Sequence, residues 1–170
     1  MYREWRKMID TKAIDFALWQ LIINTSHIMK RARQQELNQL GITVRTSAVL
    51  STIIRLGDEA TLSNIAGQLV MEVHSISAQL SRMEKDGLIV KTKNPKKKNL
   101  LSIQITDKGY EIYQKGLDRK SIHSVMSVLT DEQRKHLWEI ITSLRQQSMT
   151  ELGKGDILYP PTELADFTFQ

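Results

Sequence analysis

The sequence predicts a mostly α-helical fold that carries one small β-hairpin, an α+β arrangement. Three observations lead to this prediction. Apolar residues recur at helical spacing through most of the 170 residues, the period changes to alternation only between residues 88 and 106, and glycine or proline separates most of the patterned segments. A chain of this length can bury a substantial core, which suits one domain with a dimerisation extension.

The first predicted element is a long helix over residues 10–40. Ile14, Leu18 and Ile28 fall on one face of this helix, and neither glycine nor proline interrupts it before Gly41. The apolar face is wider than a single neighbour requires. Packing in a dimer explains that width, and burial within the core of one chain is the plainer alternative.

Three shorter helices are predicted next along the chain. They span residues 43–56, 61–69 and 73–85. Thr61 is placed to cap the second of them, since a threonine side chain accepts a hydrogen bond from the first free backbone N–H groups. In the third helix Ile76, Leu80 and Met83 form the stripe that is expected to be buried.

A β-hairpin is predicted after these helices. Residues 88–93 are strand-like, and residues 101–106 alternate strictly between apolar and polar side chains. The turn between them is polar and begins with Asn94-Pro95. Five lysines and no acidic residue lie between Leu88 and Thr106, and such a separate basic cluster points to nucleic acid more strongly than net charge does.

The last predicted elements are helices and a tail. A helix over residues 107–129, with some irregularity at Gly109 and Gly116, is followed by a long helix that Thr130 and Gln133 would begin as a capping box. The tail, residues 153–170, contains two adjacent prolines and several apolar residues. It is expected to be irregular.

The order of these elements predicts a winged helix-turn-helix, because two short helices joined by a tight break and followed by a basic hairpin are its parts. The major groove of B-DNA admits one α-helix, and the hairpin can reach the adjacent minor groove. A solvated helix face and a solvated lysine loop are the alternatives. The predicted DNA-binding residues are His74, Ser75, Ser77, Ala78, Ser81, Arg82 and Lys85 on the helix and Lys96, Lys97 and Lys98 at the hairpin tip.

These segments resemble one known family. The matching segments are Leu40–Thr43, Val49-Leu50, Thr61–Ala66, Leu80–Ile89, Asn94-Pro95 and Ile105–Gly109. Together and in this order they are similar to the multiple antibiotic resistance regulator (MarR) family. The flanking helices fit the family's all-helical dimerisation region in length and placement, so the resemblance extends over residues 10–150.

The resemblance implies a division of the chain and a function. The parts are an N-terminal dimerisation helix, the DNA-binding winged helix-turn-helix, C-terminal dimerisation helices and the tail, at residues 1–40, 41–109, 110–152 and 153–170. It implies a homodimeric transcription regulator, more often a repressor, that binds a palindromic operator in double-stranded DNA. A small aromatic or phenolic ligand would release the DNA. An aromatic-lined effector pocket near Trp19 is one hypothesis for its site, and core packing is the default role of that ring.

Three positions depart from the family pattern. Lys98 stands nearest to the place of a wing-tip arginine, and lysine lacks the planar guanidinium that makes minor-groove reading specific. Val70 occupies a turn position where relatives often have glycine, so the turn either avoids the left-handed conformation or carries strain. Glu72 replaces a capping serine or threonine, and its charge favours a helix N-terminus but repels a nearby phosphate.

Other classes of function have no support in the sequence. There is no cysteine, the four histidines lack paired metal-ligand spacing, and no phosphate-binding or nucleophile motif occurs. We therefore expect no enzyme activity, no cofactor and no metal. No segment approaches the roughly 18 apolar residues of a membrane span, and no signal peptide is recognisable. A cytoplasmic protein that does not bind membranes is expected.

A second hypothesis, from a different class of function, treats the winged helix as a protein-interaction module. The net charge of +5 favours a polyanionic partner only weakly. The apolar tail and the dimer surface would then bind a protein partner. A co-purifying protein, together with DNA affinity no better than nonspecific, would favour this hypothesis.

Overall fold

The computed structural model describes residues 11–93 and 101–155. Within these residues the chain forms seven α-helices and one two-stranded antiparallel sheet. They are α1 (Thr11–Asn38), α2 (Val44–Leu56), α3 (Leu62–Gln68), α4 (Val73–Lys85), β1 (Ile89–Lys93), β2 (Leu101–Ile105), α5 (Asp107–Lys115), α6 (Lys120–Met126) and α7 (Asp131–Glu151). The predicted fold class, mostly α-helical with a small hairpin, is confirmed.

Four threonines begin helices in this fold. The side chains of Thr43, Thr61, Thr106 and Thr130 each accept a hydrogen bond from the backbone N–H three residues later. Each bond satisfies one of the N–H groups that the first turn of a helix leaves free. At Thr130 the predicted capping box is complete, because the backbone N–H of Thr130 donates to Gln133 Oε1 at 2.9 Å.

The core of the fold lies between α2, α3, α4 and the hairpin. The predicted stripe of Ile76, Leu80 and Met83 is buried, as expected. Other large side chains with almost no exposure come from α1, α2, α3 and β1, and they are Leu37, Val49, Leu50, Ile65 and Ile89. These side chains belong to one contiguous apolar cluster, so the helix-turn-helix and the hairpin share a single core.

The hairpin is bonded to the rest of this core at its base. β1 and β2 pair in register from Ile89 opposite Ile105 to Lys93 opposite Leu101. The backbone N–H of Ile103 also donates to the carbonyl of Ala60 at 2.7 Å. The segment just before α3 therefore lies alongside β2, and it fixes the hairpin beside the helix-turn-helix.

The start of α5 is hydrogen-bonded to the segment that follows α4. Thr106 Oγ1 donates to the carbonyl of Gly87 at 2.7 Å, and Lys108 Nζ donates to the carbonyl of Asp86 at 2.8 Å. Gly109 sits so close that a Cβ there would lie 2.1 Å from the carbonyl oxygen of Leu88. Only glycine fits this contact, because the obstacle is backbone and cannot rotate away.

One predicted helix is in fact two. The expected helix over residues 107–129 is divided into α5 and α6 by a single 3₁₀ turn, Gly116–Asp118. Arg119 follows this turn in the left-handed conformation, with φ of 48°. The irregularity predicted at Gly116 is therefore a complete break, because residues of α1 bind the backbone on both sides of it, whereas α5 continues without interruption through Gly109.

Those residues of α1 form a joint between the first helix and the α5–α6 break. Arg33 Nη2 donates to the carbonyl of Gly116 at 2.6 Å, and Arg33 Nη1 lies 2.7 Å from Glu36 Oε2. The Glu36 carboxylate accepts the backbone N–H groups of Lys120, at 2.9 Å, and Ser121, at 3.1 Å, and also the Ser121 hydroxyl. The joint thus supplies hydrogen-bond partners both to a backbone carbonyl at the end of α5 and to free backbone N–H groups at the start of α6.

The two longest helices leave much of their apolar surface uncovered. Within the described residues, α1 buries only Arg33 and Leu37, and α7 buries only Met149. The exposed large apolar side chains are Ile14, Phe16, Leu18, Trp19, Leu21, Ile22, Ile23 and Ile28 on α1 and Leu137, Trp138, Ile140, Ile141 and Leu144 on α7. A single chain therefore presents two broad apolar helix faces to solvent.

Candidate nucleic-acid interface

The turn between α3 and α4 sets the direction of the second helix of the helix-turn-helix. It is closed by hydrogen bonds from the backbone N–H of Met71 to the carbonyl of Ala66, at 2.9 Å, and from that of Val70 to the carbonyl of Gly67, at 3.0 Å. Val70 has φ of 52°. The turn was expected either to avoid the left-handed conformation or to carry strain. Val70 adopts the left-handed conformation, which β-branched residues seldom do, so the turn carries strain.

The helix that follows, α4, is the predicted recognition helix. Glu72 precedes it and makes no side-chain capping bond. The buried stripe holds one side of α4 against the core. Gln79 is also buried, at 8% exposure, and its Nε2 donates to Thr46 Oγ1 at 3.1 Å. This bond, which the sequence did not suggest, adds a polar contact between α4 and α2.

The opposite side of α4 faces solvent. His74, Ala78, Ser81 and Lys85 are exposed there. They recur at intervals of four, three and four residues, which places them in one row along the helix. We call these four residues the reading stripe.

The other helix residues predicted to bind DNA border this stripe. Ser77 and Arg82 are exposed, while Ser75 is half-buried. All seven predicted residues of α4 therefore lie on or beside one surface.

Arg82 lies at the edge of that surface, beside a cleft of about 440 Å³. The cleft runs between the end of α4, the connection from α1 to α2 and the start of α5. Asp86 and Lys108 line it together with Arg82, and Thr46 and Ile112 contribute on the far side. Arg82 is therefore both exposed on α4 and part of the cleft wall, whereas Ala78 and Ser81 do not line the cleft.

An ion pair connects the recognition helix to the hairpin, which we call the wing. Lys91 Nζ of β1 lies 2.6 Å from Glu84 Oε2 of α4. The pair neutralises the charge of the Glu84 carboxylate, which would otherwise repel an anionic partner at this surface. From its sequence Lys91 was expected only as part of the basic cluster, because its pairing with Glu84 depends on how β1 packs beside α4.

The predicted tip of the wing lies outside the described residues. Lys96, Lys97 and Lys98 belong to the segment 94–100. Of the remaining lysines of the cluster, Lys93 is exposed at the end of β1. The apolar tail beyond residue 155 also lies outside the described residues.

Trp19, near which an effector pocket was considered, lies on the surface of α1. Its ring stacks on that of Phe16, with the ring centroids 5.9 Å apart and the ring planes at 21°. The two side chains are 57% and 58% exposed. The single chain does not enclose Trp19 in a pocket, and Trp19 does not line the cleft beside Arg82.

Two features of the described residues bear on metal binding and on membrane insertion. Among residues 11–93 and 101–155, no cluster of three or more His, Asp or Glu side chains is arranged to hold a metal ion. In the same residues, no helix combines the length and the apolar content that crossing a membrane requires.

Comparison with known proteins identifies similar regulators. The organohalide-sensing RdhR-CbdbA1625 transcriptional regulator, solved with 2,4-dichlorophenol bound, is 31% identical, with a TM-score of 0.79 over 93% of each chain. The HTH-type transcriptional regulator YsmB of Bacillus subtilis is 24% identical over 108 residues, which are 62% of this chain and 73% of that protein. No family model matches the chain.

A solved complex with DNA shares the same fold. The S. aureus MepR–DNA complex has a TM-score of 0.68 and 21% identity, and it covers 75% of this chain and 93% of that chain. At this identity the likeness concerns the fold alone. Together with the order of α2, α3, α4, β1 and β2, it confirms the predicted winged helix-turn-helix.

Proposed function

The chain belongs to the MarR family of DNA-binding transcription regulators, and we propose that it acts as a homodimeric repressor that a small aromatic ligand releases from a palindromic operator. The observation that carries this proposal is the exposed reading stripe of α4, held on a rigid core beside a basic wing. An α-helix presented in this way fits the major groove of B-DNA.

The wing and the ends of α4 would supply the contacts to phosphates. Lys85 ends the reading stripe, and Lys93 is exposed at the end of β1 in the wing. Contacts to phosphates fix the position of a protein on DNA, whereas contacts to base edges provide specificity. We assign the phosphate contacts to Lys85, Lys96, Lys97 and Lys98 and the base contacts to the remaining predicted residues of α4.

A second copy of the chain is the proposed cover for the apolar faces of α1 and α7. Thirteen large apolar side chains are exposed on these two helices, and contiguous apolar surfaces of this kind mark interfaces. The two helices come from opposite ends of the described chain, so a symmetric pair can interlock them. A two-fold dimer also presents two recognition helices, which suits a palindromic operator.

An aromatic ligand is proposed because the stacked rings of Phe16 and Trp19 lie on the face that a second copy would cover. Covering them would enclose an apolar, aromatic-lined site, and offset ring stacking favours an aromatic guest there. The relative with 31% identity was solved with 2,4-dichlorophenol bound, which makes this compound the first probe. A ligand that binds the DNA-free dimer better than the DNA-bound dimer shifts the population away from DNA.

The test is binding to promoter fragments from the neighbourhood of the gene and to scrambled duplexes at two salt concentrations. A specific regulator should prefer its operator by about a thousandfold or more at physiological salt. Equal and steeply salt-dependent binding to all duplexes would contradict the proposal and favour the protein-interaction hypothesis. Alanine at Lys96, Lys97 and Lys98 together should flatten the salt dependence by up to about one slope unit per lost contact.

The same assay tests the ligand. Adding 2,4-dichlorophenol should weaken binding to the preferred fragment. The variant Trp19→Ala should lose this response. Because Trp19 lies on the proposed dimer face, the comparison is made at protein concentrations at which sedimentation shows both the variant and the wild-type chain to be dimeric. His123→Ala serves as the matched control, since it removes an exposed ring from α6. This variant should keep both the ligand response and the DNA affinity.

A further inference from the structure

The half of the recognition helix nearest its N-terminus carries three short side chains on its exposed side, those of Ser77, Ala78 and Ser81, after the larger Val73 and His74 of its first turn. In helix-turn-helix proteins, this half of the helix makes the contacts to base edges. From Val73 to Ser81 the chain has no arginine, lysine or asparagine, and its one glutamine is Gln79. Gln79 is buried and bonded to Thr46, so it is not available to a base.

This part of α4 therefore lacks the side chains that usually form paired hydrogen bonds with base edges. Arginine and lysine recognise guanine through O6 and N7, and asparagine and glutamine recognise adenine through N6 and N7. The first exposed arginine of α4 is Arg82, at the edge that borders the cleft. The strongest sources of discrimination for guanine and adenine are therefore absent from the first two turns of α4.

Ala78 is the apolar group at the centre of the reading stripe. It is exposed, and His74 and Ser81 lie one turn away on either side. Its neighbour Ser77 is also short, so the backbone of α4 can approach the floor of the groove closely. A serine hydroxyl both donates and accepts, so it pairs with either kind of base edge and discriminates poorly. The Ala78 methyl group can neither donate nor accept a hydrogen bond, so it favours an apolar group on the base edge.

We infer that Ala78 packs against the C5-methyl group of a thymine, and that the operator half-site is recognised through a T·A base pair at its centre. The thymine methyl is the apolar feature of the major groove, and alanine is one of the residues that contact it. This inference rests on the proposed function, since it concerns the same helix surface. It identifies the class of base pair that the surface selects.

The experiment begins with selection of operator duplexes from a random pool by the full-length chain. Each thymine of the enriched half-site is then replaced, one at a time, by uracil, which lacks only the methyl group. One replacement should weaken binding about fourfold, the value of one buried methyl group. Ala78→Gly should bind the thymine and uracil duplexes equally.

A matched variant controls for the helix. Ser77→Ala lies beside Ala78, removes a hydroxyl and leaves the Ala78 methyl in place, so it should keep the fourfold difference between thymine and uracil. Because glycine lowers helix propensity, the melting temperature of Ala78→Gly is measured alongside. The comparison between the two duplexes is made within one variant, so a uniform loss of affinity does not affect it.

The outcomes separate this inference from the proposed function. An enriched half-site in which no thymine is sensitive to uracil overturns the inference and leaves a sequence-specific regulator. A thymine–uracil difference that persists in Ala78→Gly also overturns it, because another group then contacts the methyl. A selection that enriches no sequence overturns the proposed function and the inference together.

Discussion

The winged helix-turn-helix and the terminal helices use similar apolar residues in opposite ways. In α4, Ile76, Leu80 and Met83 are at most 1% exposed, whereas Leu21 and Ile28 of α1 are 63% and 61% exposed. Both helices have apolar faces at helical spacing. In the first region the chain covers its own apolar surface, and in the second it does not.

This difference separates the apolar surface that folding of one chain buries from the apolar surface that only assembly with another chain can bury. Burial of an apolar side chain contributes about 1.5–3 kcal/mol, so the core stabilises α2, α3, α4 and the wing without help. The apolar faces of α1 and α7 contribute a comparable free energy of burial only when a second copy of the chain covers them.

The largest effect is expected at the closest contact of the self-covered region. Gly109→Ala should destabilise the fold by about 3 kcal/mol or more, because the new Cβ would lie 2.1 Å from the Leu88 carbonyl oxygen and must displace backbone. Urea unfolding followed by circular dichroism measures this loss. A change below about 1 kcal/mol would show that α5 can shift away from Leu88 freely.

Gly67→Ala provides the control for that variant. Gly67 lies in α3, and a Cβ there would meet nothing within 4 Å. Since alanine has higher helix propensity than glycine, this variant should gain about 0.5–1 kcal/mol. Opposite signs at the two positions would attribute the Gly109 effect to its contact with Leu88.

The second prediction concerns the uncovered faces. Leu21→Glu should raise the dissociation constant of the homodimer by about 100-fold or more. Each of two copies loses a buried leucine and gains a charge in the interface, and every 1.4 kcal/mol is a factor of ten. Sedimentation velocity over a range of concentrations measures this constant.

Gln35→Glu adds the same charge to an exposed polar position of α1 and should leave the dimer intact. The secondary structure of Leu21→Glu should also persist, because the winged core does not use Leu21. A Leu21→Glu variant that stays dimeric at all concentrations would exclude this face of α1 from the interface.

The third prediction tests the joint between α1 and the α5–α6 break. Partial burial alone would raise the pKa of Glu36, but hydrogen bonds from Ser121, Arg33 and Lys120 outweigh it and lower the pKa from 4.5 to about 2. A carboxylate whose pKa is lowered by folding adds stability above pH 4.5. That contribution is lost as the pH falls from about 4.5 towards 2.

Glu36→Gln should therefore cost about 1–2 kcal/mol at pH 7, a value reduced for partial exposure of the side chain. The difference from the wild-type chain should shrink steadily below pH 4.5. Urea unfolding at pH 7, 4 and 3 follows both chains. A constant difference across these conditions would mean that the charge of Glu36 plays no part in the joint.

The smallest effect is expected at the strained turn before the recognition helix. Val70→Gly should stabilise the protein by about 1 kcal/mol, because φ of 52° strains valine and suits glycine. Thermal unfolding measures the gain. Ser63→Gly, at an exposed position inside α3, should instead lose about 0.5 kcal/mol, so the pair separates strain from a general effect of glycine.

Much of the winged core could be predicted from the sequence, because each of its elements carries its own local signal. Thr61 and Thr130 have capping side chains, and the stripe of Ile76, Leu80 and Met83 has helical spacing. Such signals depend on residues within one or two turns of each other. They were confirmed to within a residue or two at most boundaries.

What the sequence could not predict are contacts between distant residues. The break between α5 and α6 depends on Arg33 and Glu36, more than 80 positions earlier in the chain. The close approach of Gly109 to Leu88 is likewise a tertiary contact. At the candidate site, helical spacing predicted the exposed row of α4. The bond of Gln79 to Thr46 and the ion pair of Lys91 with Glu84 depend on which helices and strands become neighbours.

The bond between Ile103 and Ala60 has a consequence for synthesis of the chain. Its two ends are separated by 43 positions in the sequence, and the contacts of Gly109 extend the same core still further along the chain. The ribosome must therefore deliver β2 and the start of α5 before α2, α3 and α4 acquire their full set of neighbours. During that interval α1 is already made, and its apolar face, which the rest of the described chain leaves exposed, stays in contact with solvent.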